Sequence, residues 1–513
     1  MHETFHIDIF LVLLMVTAAV AMAVKWVKLP YAISLVIVGL LIGVFHLLPT
    51  VEMTPELILL VFLPALLFEA SWNIDLKELK KNWLAIFLLS VPGVVISMAV
   101  IALFMHFTIA MPLAPAFLFG AMISATDPIS VLALFRKLGI NKRLTMILEG
   151  ESLFNDGTAV VLFKLILGII IASTQFSFLQ TAGSFTMVVL GGAVVGCMLG
   201  YAASRITAFF DDHLLEITLT TILAYGAFLV AEQLRVSPVI SVVAAGIVLG
   251  NYGSRSSMSA TTRLAVNSFW EYAAFLVNSL VFLLIGLQVK FDLLQKYLVP
   301  IAVAILAIMV ARAFVVYGLT PLFSKSAPIP WKWRHLLWWG ALRGSLCMAL
   351  ALSLPLGMEF RELILITTFG VVLFTLLVPG LSIDPMVKLL KMNSTDSKLL
   401  AYKELKGVQI ANTKALSVLD GMLSQGAITQ TAYDSLQQEI QTSQDTTRLS
   451  MDELHLADFS IQQLELSEAK RQLLEVKKDC LIMLAREGLL EQESLDKLRL
   501  EIDEEINHLV FPE

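Results

Sequence analysis

Apolar residues lie in long blocks along this chain, and short polar connections separate the blocks. The blocks recur from Phe10 to about Leu389, and most contain about 20 residues, enough for a helix to cross roughly 30 Å of hydrocarbon. The pattern predicts an all-α polytopic membrane protein with about thirteen transmembrane helices. The predicted spans lie near residues 8–24, 30–47, 54–73, 83–107, 113–135, 144–172, 182–205, 214–232, 236–250, 267–288, 299–322, 335–355 and 362–388.

Composition supports a membrane protein. The chain is 57% hydrophobic and 15% charged, with a mean hydropathy of +0.80, far from the average of soluble domains. The three cysteines, Cys197, Cys347 and Cys480, are too far apart for a metal-ligand or disulfide pattern. We expect them to be packing residues.

The polar connections alternate sharply in charge. One alternate set carries fifteen cations: Lys25, Lys28, Lys77, Lys80, Lys81, Arg136, Lys137, Lys142, Arg143, Arg205, Arg255, Arg263, Lys325, Lys332 and Arg334. The other set carries four: Arg235, Lys290, Lys296 and Arg361. Because cytoplasmic loops are enriched in Lys and Arg, the alternation predicts a multi-pass protein of the cell (inner) membrane with the N-terminus outside and the C-terminal segment in the cytoplasm.

A separate C-terminal domain is predicted for residues 391–513, after a transmembrane domain of residues 1–390. The segment carries 22 acidic and 13 basic side chains, which argues against nucleic acid or anionic lipid as a partner. Residues 419–440 align without gaps with residues 481–502, and each copy has the pattern of a helix, a glycine turn and a second amphipathic helix. We expect two stacked helical hairpins, and both support of assembly and regulation of transport remain open as their role.

The fifth span contains a carboxylate and a proline at membrane depth. Asp127 lies nine residues from Arg136, which places it near the bilayer midplane, and Pro128 removes a backbone hydrogen bond beside it. The helix is therefore expected to break there. Unpaired carbonyls at this depth are tolerated where they face protein or a cavity, so Thr126 and Asp127 could add side-chain oxygens to a cation site.

The sixth span carries a polar stripe on one helix face. Glu151, Ser152, Asn155 and Asp156 follow the spacing i, i+1, i+4, i+5. Their oxygen atoms suit a hard monovalent cation, and no histidine or cysteine, the residues that softer metals prefer, joins the group.

The twelfth span brings a third charge to a similar depth. Gly340, Arg343 and Gly344 lie within "WWGALRGSL", and the paired glycines weaken helical continuity. Interrupted helices at corresponding positions of two halves are typical of inverted-repeat transporters. Spans 5 and 12 therefore predict two inverted six-helix repeats with broken, crossed helices.

We expect Arg343 to neutralise Glu151, because an arginine does not lose its proton and the two residues lie at matching depth. This pair would be structural, which leaves Asp127 and Asp156 for transport. Two close carboxylates in a low dielectric hold a proton more tightly, and a bound cation displaces it. Competition of this kind predicts exchange of a monovalent cation for a proton.

Other intramembrane ionisable groups receive less specific expectations. For Glu69 a structural hydrogen bond and a role in the ion pathway both remain open. Lys164 and Arg312 are expected to extend towards the membrane surface or to pair within the bundle. A cation channel is the main rival function, although no repeated filter segment is visible, and a sodium-coupled symporter is a second rival. No nucleophile and base share a plausible site, so an enzyme is not predicted.

The motifs "LPALLFEA", "ATDPISV", "LEGESLFNDGTAVVLF" and "GALRGSL", in this order along the chain, resemble those of the monovalent cation:proton antiporters of the NhaP and NHE type. The resemblance covers nearly all of residues 10–390. It implies an NhaA-like antiporter fold of thirteen helices, a homodimer, and alternating access by an elevator-like movement of a six-helix core. Sodium, lithium or potassium ions and protons would be transported, without a cofactor.

The same resemblance implies roles for single residues. Asp127 and Asp156 match ion-binding carboxylates, and Asp156 would be the principal residue that exchanges proton for cation. Thr126 and Ser152 match further ligands, and Glu151 and Arg343 match a buried ion pair. Asn155 occupies the position where electrogenic relatives have a second aspartate. The Asn-Asp form therefore implies electroneutral exchange of one cation for one proton.

Overall fold

We describe the protein from a computed structural model. It describes residues 7–24, 31–47, 56–172, 177–207, 212–253, 258–287, 291–323, 328–390 and 397–457, with some single residues outside these stretches. The chain divides into two compact units, Met1–Asn393 and Ser394–Glu513. Lys25, Lys28, Arg255, Lys290 and Lys325, which contribute to the predicted charge alternation, lie outside the described residues.

The first unit is built from helices throughout its described residues. They are α1 (Ile7–Ala23), α2 (Tyr31–Val44), α3 (Leu63–Asn73, after a π-helical turn Leu57–Phe62), α4 (Leu76–Ser90), α5 (Pro92–Ile109), α6 (Leu113–Ile123), α7 (Ile129–Lys137), α8 (Lys142–Ala172), α9 (Phe178–Thr207), α10 (His213–Gln233), α11 (Pro238–Val248, before a π-helical turn Leu249–Gly253), α12 (Ala260–Leu287), α13 (Phe291–Lys296), α14 (Leu298–Leu319), α15 (Trp331–Trp339), α16 (Ser345–Leu352) and α17 (Arg361–Leu389). The all-α prediction is confirmed for these residues.

Several helices meet the length and hydropathy that a membrane crossing requires. Among the described residues, seven helical stretches are long and apolar enough to cross a membrane. Shorter apolar helices, such as α2 and α6, account for further predicted spans. The total of thirteen crossings and the inverted repeats stay predictions.

The fourth span begins earlier than predicted. The sequence pattern placed its start near residue 83, whereas α4 begins at Leu76 and continues through Val91 into α5. Asp75 caps α4, because its Oδ1 accepts a hydrogen bond of 2.8 Å from the backbone N–H of Lys77. The first two turns of α4 carry Lys and Glu side chains, so an apolar-block criterion does not detect them.

Small residues bring two of the membrane helices into close contact. Gly192, Gly196 and Gly200 recur every fourth residue along α9, and a Cβ atom at any of them would overlap a backbone carbonyl of α11. This spacing is the small-xxx-small pattern by which membrane helices approach each other closely. The α9–α11 contact therefore depends on backbone packing.

The second unit contains a helical hairpin of α18 (Ser397–Ser424) and α19 (Gln430–Ala457). Gly426 lies between them with a φ of 70°, a left-handed conformation that favours glycine at a helix end. Asn412 Nδ2 donates a hydrogen bond of 3.0 Å to Ser443 Oγ across the hairpin. The second copy of the predicted repeat, residues 481–502, lies largely outside the described residues.

Candidate functional site

Two interrupted helices form the centre of the site. The first interruption runs from Ser124 to Pro128, between α6 and α7, and the second from Gly340 to Gly344, between α15 and α16. Both were predicted as breaks in spans 5 and 12. Pro128 directly precedes α7 at the N-cap position, and its ring is compatible with the start of a helix but not with its interior.

The two interruptions contact each other directly. The backbone N–H of Asp127 donates a hydrogen bond of 2.9 Å to the carbonyl of Leu342, and Cys347 Sγ lies 3.4 Å from the carbonyl of Ala125. Each break thus satisfies backbone groups of the other, as irregular backbone inside a membrane protein requires. Cys347, expected only to pack, also contributes a weak hydrogen bond to the crossing.

Gly344 lies against the Asp127 carboxylate. A Cβ atom at this position would overlap Oδ2, Cγ and Cβ of Asp127. We interpreted this glycine from sequence as a weak point in a helix. Its role in the structure is different, because the missing side chain makes the room that the aspartate occupies.

The polar stripe of α8 faces the first interruption. Ser152 Oγ donates a hydrogen bond of 2.6 Å to the carbonyl of Thr126, and Asn155 Nδ2 donates one of 3.2 Å to Thr126 Oγ1. The Asp156 carboxylate lies next to the backbone of Thr126. The structure therefore brings the predicted residues of spans 5 and 6 together around Thr126.

A cavity of about 240 Å³ opens onto this cluster. Its wall includes the predicted residues Thr126, Asp127, Ser152 and Asp156, together with Glu69 from α3. Oδ1 of Asp156 is buried without a hydrogen-bond partner. A buried acceptor of this kind is costly unless a proton or a cation satisfies it, so the cavity has the oxygen atoms that a desolvated monovalent cation needs.

The buried ion pair has a different arginine from the one that we expected. Glu151 pairs with Arg312 of α14: Nη1 donates to Oε1, and Nη2 donates to Oε2 at 2.9 Å. Both residues are buried, with 1% and 5% of their surface exposed. The prediction that Arg343 neutralises Glu151 is therefore wrong, because similar depth along two helices does not determine which side chains face each other.

Arg312 also joins the pair to the twelfth span. Its Nε and Nη2 donate hydrogen bonds of 3.0 and 2.9 Å to the carbonyl of Leu337, in the last turn of α15. That carbonyl precedes a helix interruption and has lost its ordinary helical partner. Arg312 thus connects α14, α8 and the broken span 12, and of the two expected alternatives it pairs within the bundle.

Arg343 lies inside the second interruption. Its backbone N–H donates a hydrogen bond of 3.1 Å to Thr375 Oγ1, and its Nη1 donates one of 3.2 Å to the carbonyl of Ala341. The side chain is 2% exposed, and its Nε has no hydrogen-bond partner. Arg343 therefore places a positive charge within the broken segment that contacts Asp127.

The remaining candidates occupy separate places. Glu69 Oε1 accepts a hydrogen bond of 2.9 Å from Asn73 Nδ2 and also lines the cavity, so the structure contains both features that the sequence left open for this residue. Lys164 lies 3.8 Å from Glu232 across α8 and α10. This contact fits the expected pairing within the bundle.

The cavity wall also includes residues that were not predicted as parts of the site, among them Arg136, Glu149 and Asn278. Glu149 lies three residues before Ser152 and seven before Asp156, which is one face of a helix. Helical spacing alone could therefore have identified Glu149. Asn278 lies in α12, and its position in the sequence gives no signal that distinguishes a cavity wall from a helix interface.

The fold and the site together define a polytopic secondary transporter, in which two interrupted helices cross beside buried carboxylates. The chain belongs to the sodium/hydrogen exchanger family, whose transmembrane model matches residues 10–389.

Similar proteins support this membership. The chain is 43% identical over 427 residues to the low-affinity Na⁺/H⁺ antiporter NhaS1 of Synechocystis sp., with 81% of each chain covered. It is also 43% identical over 426 residues to the Na⁺/H⁺ antiporter ApNhaP of Aphanothece halophytica, again with 81% of each chain covered. The structure of the sodium proton antiporter MjNhaP1 of Methanocaldococcus jannaschii matches the fold with a TM-score of 0.64 at 20% identity, and the match covers 75% of this chain and 98% of that one.

Proposed function

We propose that the protein exchanges sodium ions for protons across the cell membrane. The observation that carries this proposal is the cavity in which Asp127, Asp156, Ser152 and the Thr126 segment present oxygen atoms at the crossing of two broken helices. Relatives that are 43% identical are named Na⁺/H⁺ antiporters, which favours sodium over potassium or lithium as the main cation.

Competition at one site supplies the coupling. With sodium bound, the Asp127 and Asp156 carboxylates carry negative charge that the cation neutralises. Without sodium, two nearby carboxylates in a poorly hydrated cavity retain a proton, because an empty, doubly charged site is too costly. The site therefore changes its exposure from one side of the membrane to the other only when sodium or a proton is bound. Sodium is carried in one direction and a proton in the opposite direction.

Asp156 is proposed as the residue that trades the proton, and Asp127 as a cation ligand. The buried, unpartnered Oδ1 of Asp156 supports the first role. Asp127 accepts a hydrogen bond of 3.2 Å from the backbone N–H of Ile129, which holds its carboxylate at the start of α7, where it lines the cavity. Ser152 and Thr126 complete the ligand set through hydroxyl and backbone oxygen atoms.

The proposed stoichiometry is one sodium ion for one proton. Asn155 precedes Asp156 and donates a hydrogen bond to Thr126. The Asn155–Asp156 pair therefore contributes one titratable carboxylate rather than two. The Arg312–Glu151 pair is fully matched in charge and adds no second proton. Exchange would then be electroneutral, with an elevator-like movement of a six-helix core in a homodimer.

The proposed orientation has the N-terminus outside and the C-terminal unit in the cytoplasm, as the alternating charge of the connections favours. In this orientation Arg136, which borders a cytoplasmic connection, and Glu149 lie at the cytoplasmic end of the cavity wall. A protein in a cell membrane with this activity would contribute to sodium and pH homeostasis.

Proton movement in proteoliposomes tests the function. Sodium added to one side should drive protons to that side, and Asp156→Asn should reduce the signal to background. Lithium and potassium, added separately, would establish the selectivity. Absence of sodium-driven proton movement in the wild type, or full movement in the variant, would exclude the proposal.

Membrane voltage tests the stoichiometry. With equal and opposing ion gradients, an imposed potassium diffusion potential should leave the rate of exchange unchanged. A change of rate with voltage would contradict one-to-one exchange while leaving antiport itself intact. A channel would instead carry sodium current in the absence of a proton gradient.

A further inference from the structure

Glu149 lines the same cavity as Asp156. It precedes Ser152 by three residues and Asp156 by seven, and all three line the same cavity. At 1.5 Å per residue, the backbone positions of Glu149 and Asp156 are about 10 Å apart along α8. The α8 side of the cavity therefore presents side-chain oxygen atoms at three successive positions, Glu149, Ser152 and Asp156.

Glu149 has a loosely held counter-ion. Arg136 Nη2 lies 3.5 Å from Glu149 Oε1, and the side chains are 67% and 19% exposed, respectively. The partly buried carboxylate thus depends on a cation that is itself mostly in solvent. The Glu151–Arg312 pair is different, since its guanidinium makes two bonds to the carboxylate and is buried.

Glu69 of α3 is another acidic residue of the cavity wall, and its hydrogen-bond partner is neutral. Glu69 Oε1 accepts a hydrogen bond from Asn73, four residues later in α3. Arg136 also lies within electrostatic reach of Glu69, but it forms its ion pair with Glu149. A sodium ion that binds Glu149 must therefore replace the Arg136 guanidinium at that carboxylate.

We propose that Glu149 is a first, transient ligand for the entering cation, and that Arg136 occupies this position until a cation replaces it. This inference rests on the proposed sodium/proton exchange and assigns its cytoplasmic access step. Arg136 swings into solvent, the partly hydrated cation contacts Glu149, and it then passes Ser152 to Asp156. Glu149 would therefore set the apparent affinity for cytoplasmic sodium without taking part in the exchange of the proton.

Opposite effects of two single variants test the proposal. In inside-out vesicles, which present the cytoplasmic face to added sodium, Glu149→Gln should raise KM for sodium by about three- to tenfold, because it removes the attracting charge. Arg136→Gln should lower KM by about two- to fivefold, because it removes the competitor. The maximal rate should stay within about twofold of wild type in both variants.

The double variant and a charge exchange separate this role from a structural one. In the Glu149→Gln background, Arg136→Gln should lower KM much less than in the wild type, because the carboxylate with which the arginine pairs is gone and only Glu69 remains in its electrostatic reach. Exchanging the two charges, Arg136→Glu with Glu149→Arg, keeps a pair but puts a cation on the wall, and should raise KM. If the exchanged pair instead restores wild-type KM, the pair is structural and the proposal is wrong.

An ion pair away from the cavity provides a matched control. Lys388 Nζ lies 2.6 Å from Asp384 Oδ2 on α17, and both side chains are exposed. Asp384→Asn and Lys388→Gln should leave KM unchanged. Equal KM for wild type, Glu149→Gln and Arg136→Gln, with sodium-driven proton movement intact, would overturn the access step alone, whereas loss of that movement in the wild type would overturn the function on which it rests.

Discussion

The guanidinium of Arg312 donates to both carboxylate oxygens of Glu151 and, through Nε and Nη2, to the carbonyl of Leu337. This arrangement fixes a charged pair at membrane depth and satisfies a carbonyl exposed by a broken helix. The pair adjoins the cation site, because Glu151 is followed directly in α8 by Ser152. We infer that the pair holds α8 in the rotation that presents Ser152 and Asp156 to the cavity.

Removal of one partner of this pair should be strongly destabilising. Arg312→Gln leaves the Glu151 carboxylate buried without a countercharge, at a cost of about 3–5 kcal/mol. The expected result is a lower thermal unfolding midpoint in detergent and a smaller yield of folded protein. Glu151→Gln should lower the midpoint for the same reason.

A double-mutant cycle distinguishes the two arginines. Glu151→Gln combined with Arg312→Gln should be less destabilising than the sum of the single changes, because the double variant buries no unpaired charge at this position. Glu151→Gln combined with Arg343→Gln should show weaker coupling, because the hydrogen bonds of Arg343 go to Thr375 and to the carbonyl of Ala341. Additivity in the first cycle together with strong coupling in the second would contradict the pairing seen here.

The choice between these arginines shows where sequence reasoning reached its limit. Arg312 lies thirteen residues from Lys325, and Asp156 lies thirteen from Arg143, so depth estimated along the chain places Arg312 in the central layer as well. Depth does not give the rotation of a helix or the identity of its neighbour. Only the packing of α14 against the core determines that Arg312 faces Glu151.

The interruption at Asp127 was more predictable because its cause is local. Pro128 lacks the backbone donor that a helix interior needs, and the neighbouring polar residues signal a cavity. The stripe of α8 was predictable for a similar reason, since helical periodicity alone places its residues on one face. The crossing of the two breaks depends on contacts between residues more than two hundred positions apart, such as Ala125 and Cys347, and a single sequence contains no local signal for them.

Gly344→Ala should impair transport more than folding. The added Cβ would overlap the Asp127 carboxylate, so the carboxylate must move out of the cavity or the second break must shift. We expect sodium-driven proton movement to fall by at least about tenfold, since small displacements of a binding group have large kinetic effects, while the protein remains folded by size-exclusion chromatography.

Gly318→Ala is the matched control for this change. Gly318 lies in α14, and nothing lies within 4 Å of an added Cβ there. Alanine favours a helix over glycine by up to about 1 kcal/mol, so transport should be unchanged and stability equal or slightly higher. Equal transport by Gly344→Ala and Gly318→Ala would show that Asp127 does not need its present position.

Ser152→Ala should weaken cation binding by a limited amount. The change removes the hydroxyl that bonds the Thr126 carbonyl and that we propose as a ligand, a loss of about 1 kcal/mol. KM for sodium should therefore rise by roughly fivefold, with a smaller change in the maximal rate. The effect should appear equally with sodium added from either side, because the site itself is altered.

Ser90→Ala provides the comparison for Ser152→Ala. Ser90 is fully buried, and its Oγ bonds only weakly, at 3.4 Å, to the carbonyl of Phe87 in the same helix. It lies outside the cavity wall. A rise in KM of similar size in both variants would indicate a general packing effect and would argue against Ser152 as a ligand.

Asp127 and Asp156 should differ in the step that they affect. Asp156→Asn should abolish both sodium-induced proton release from the purified protein and exchange in proteoliposomes, because no carboxylate remains to trade the proton. Asp127→Asn should retain proton binding at Asp156 but lose a cation ligand, so that proton release requires much higher sodium concentrations. Titration of proton release against sodium, with a pH indicator in weakly buffered detergent solution, separates the two cases. Identical loss of proton release at saturating sodium in both variants would mean that the two carboxylates act as one coupled acid, and the separate roles proposed for them would have to be abandoned.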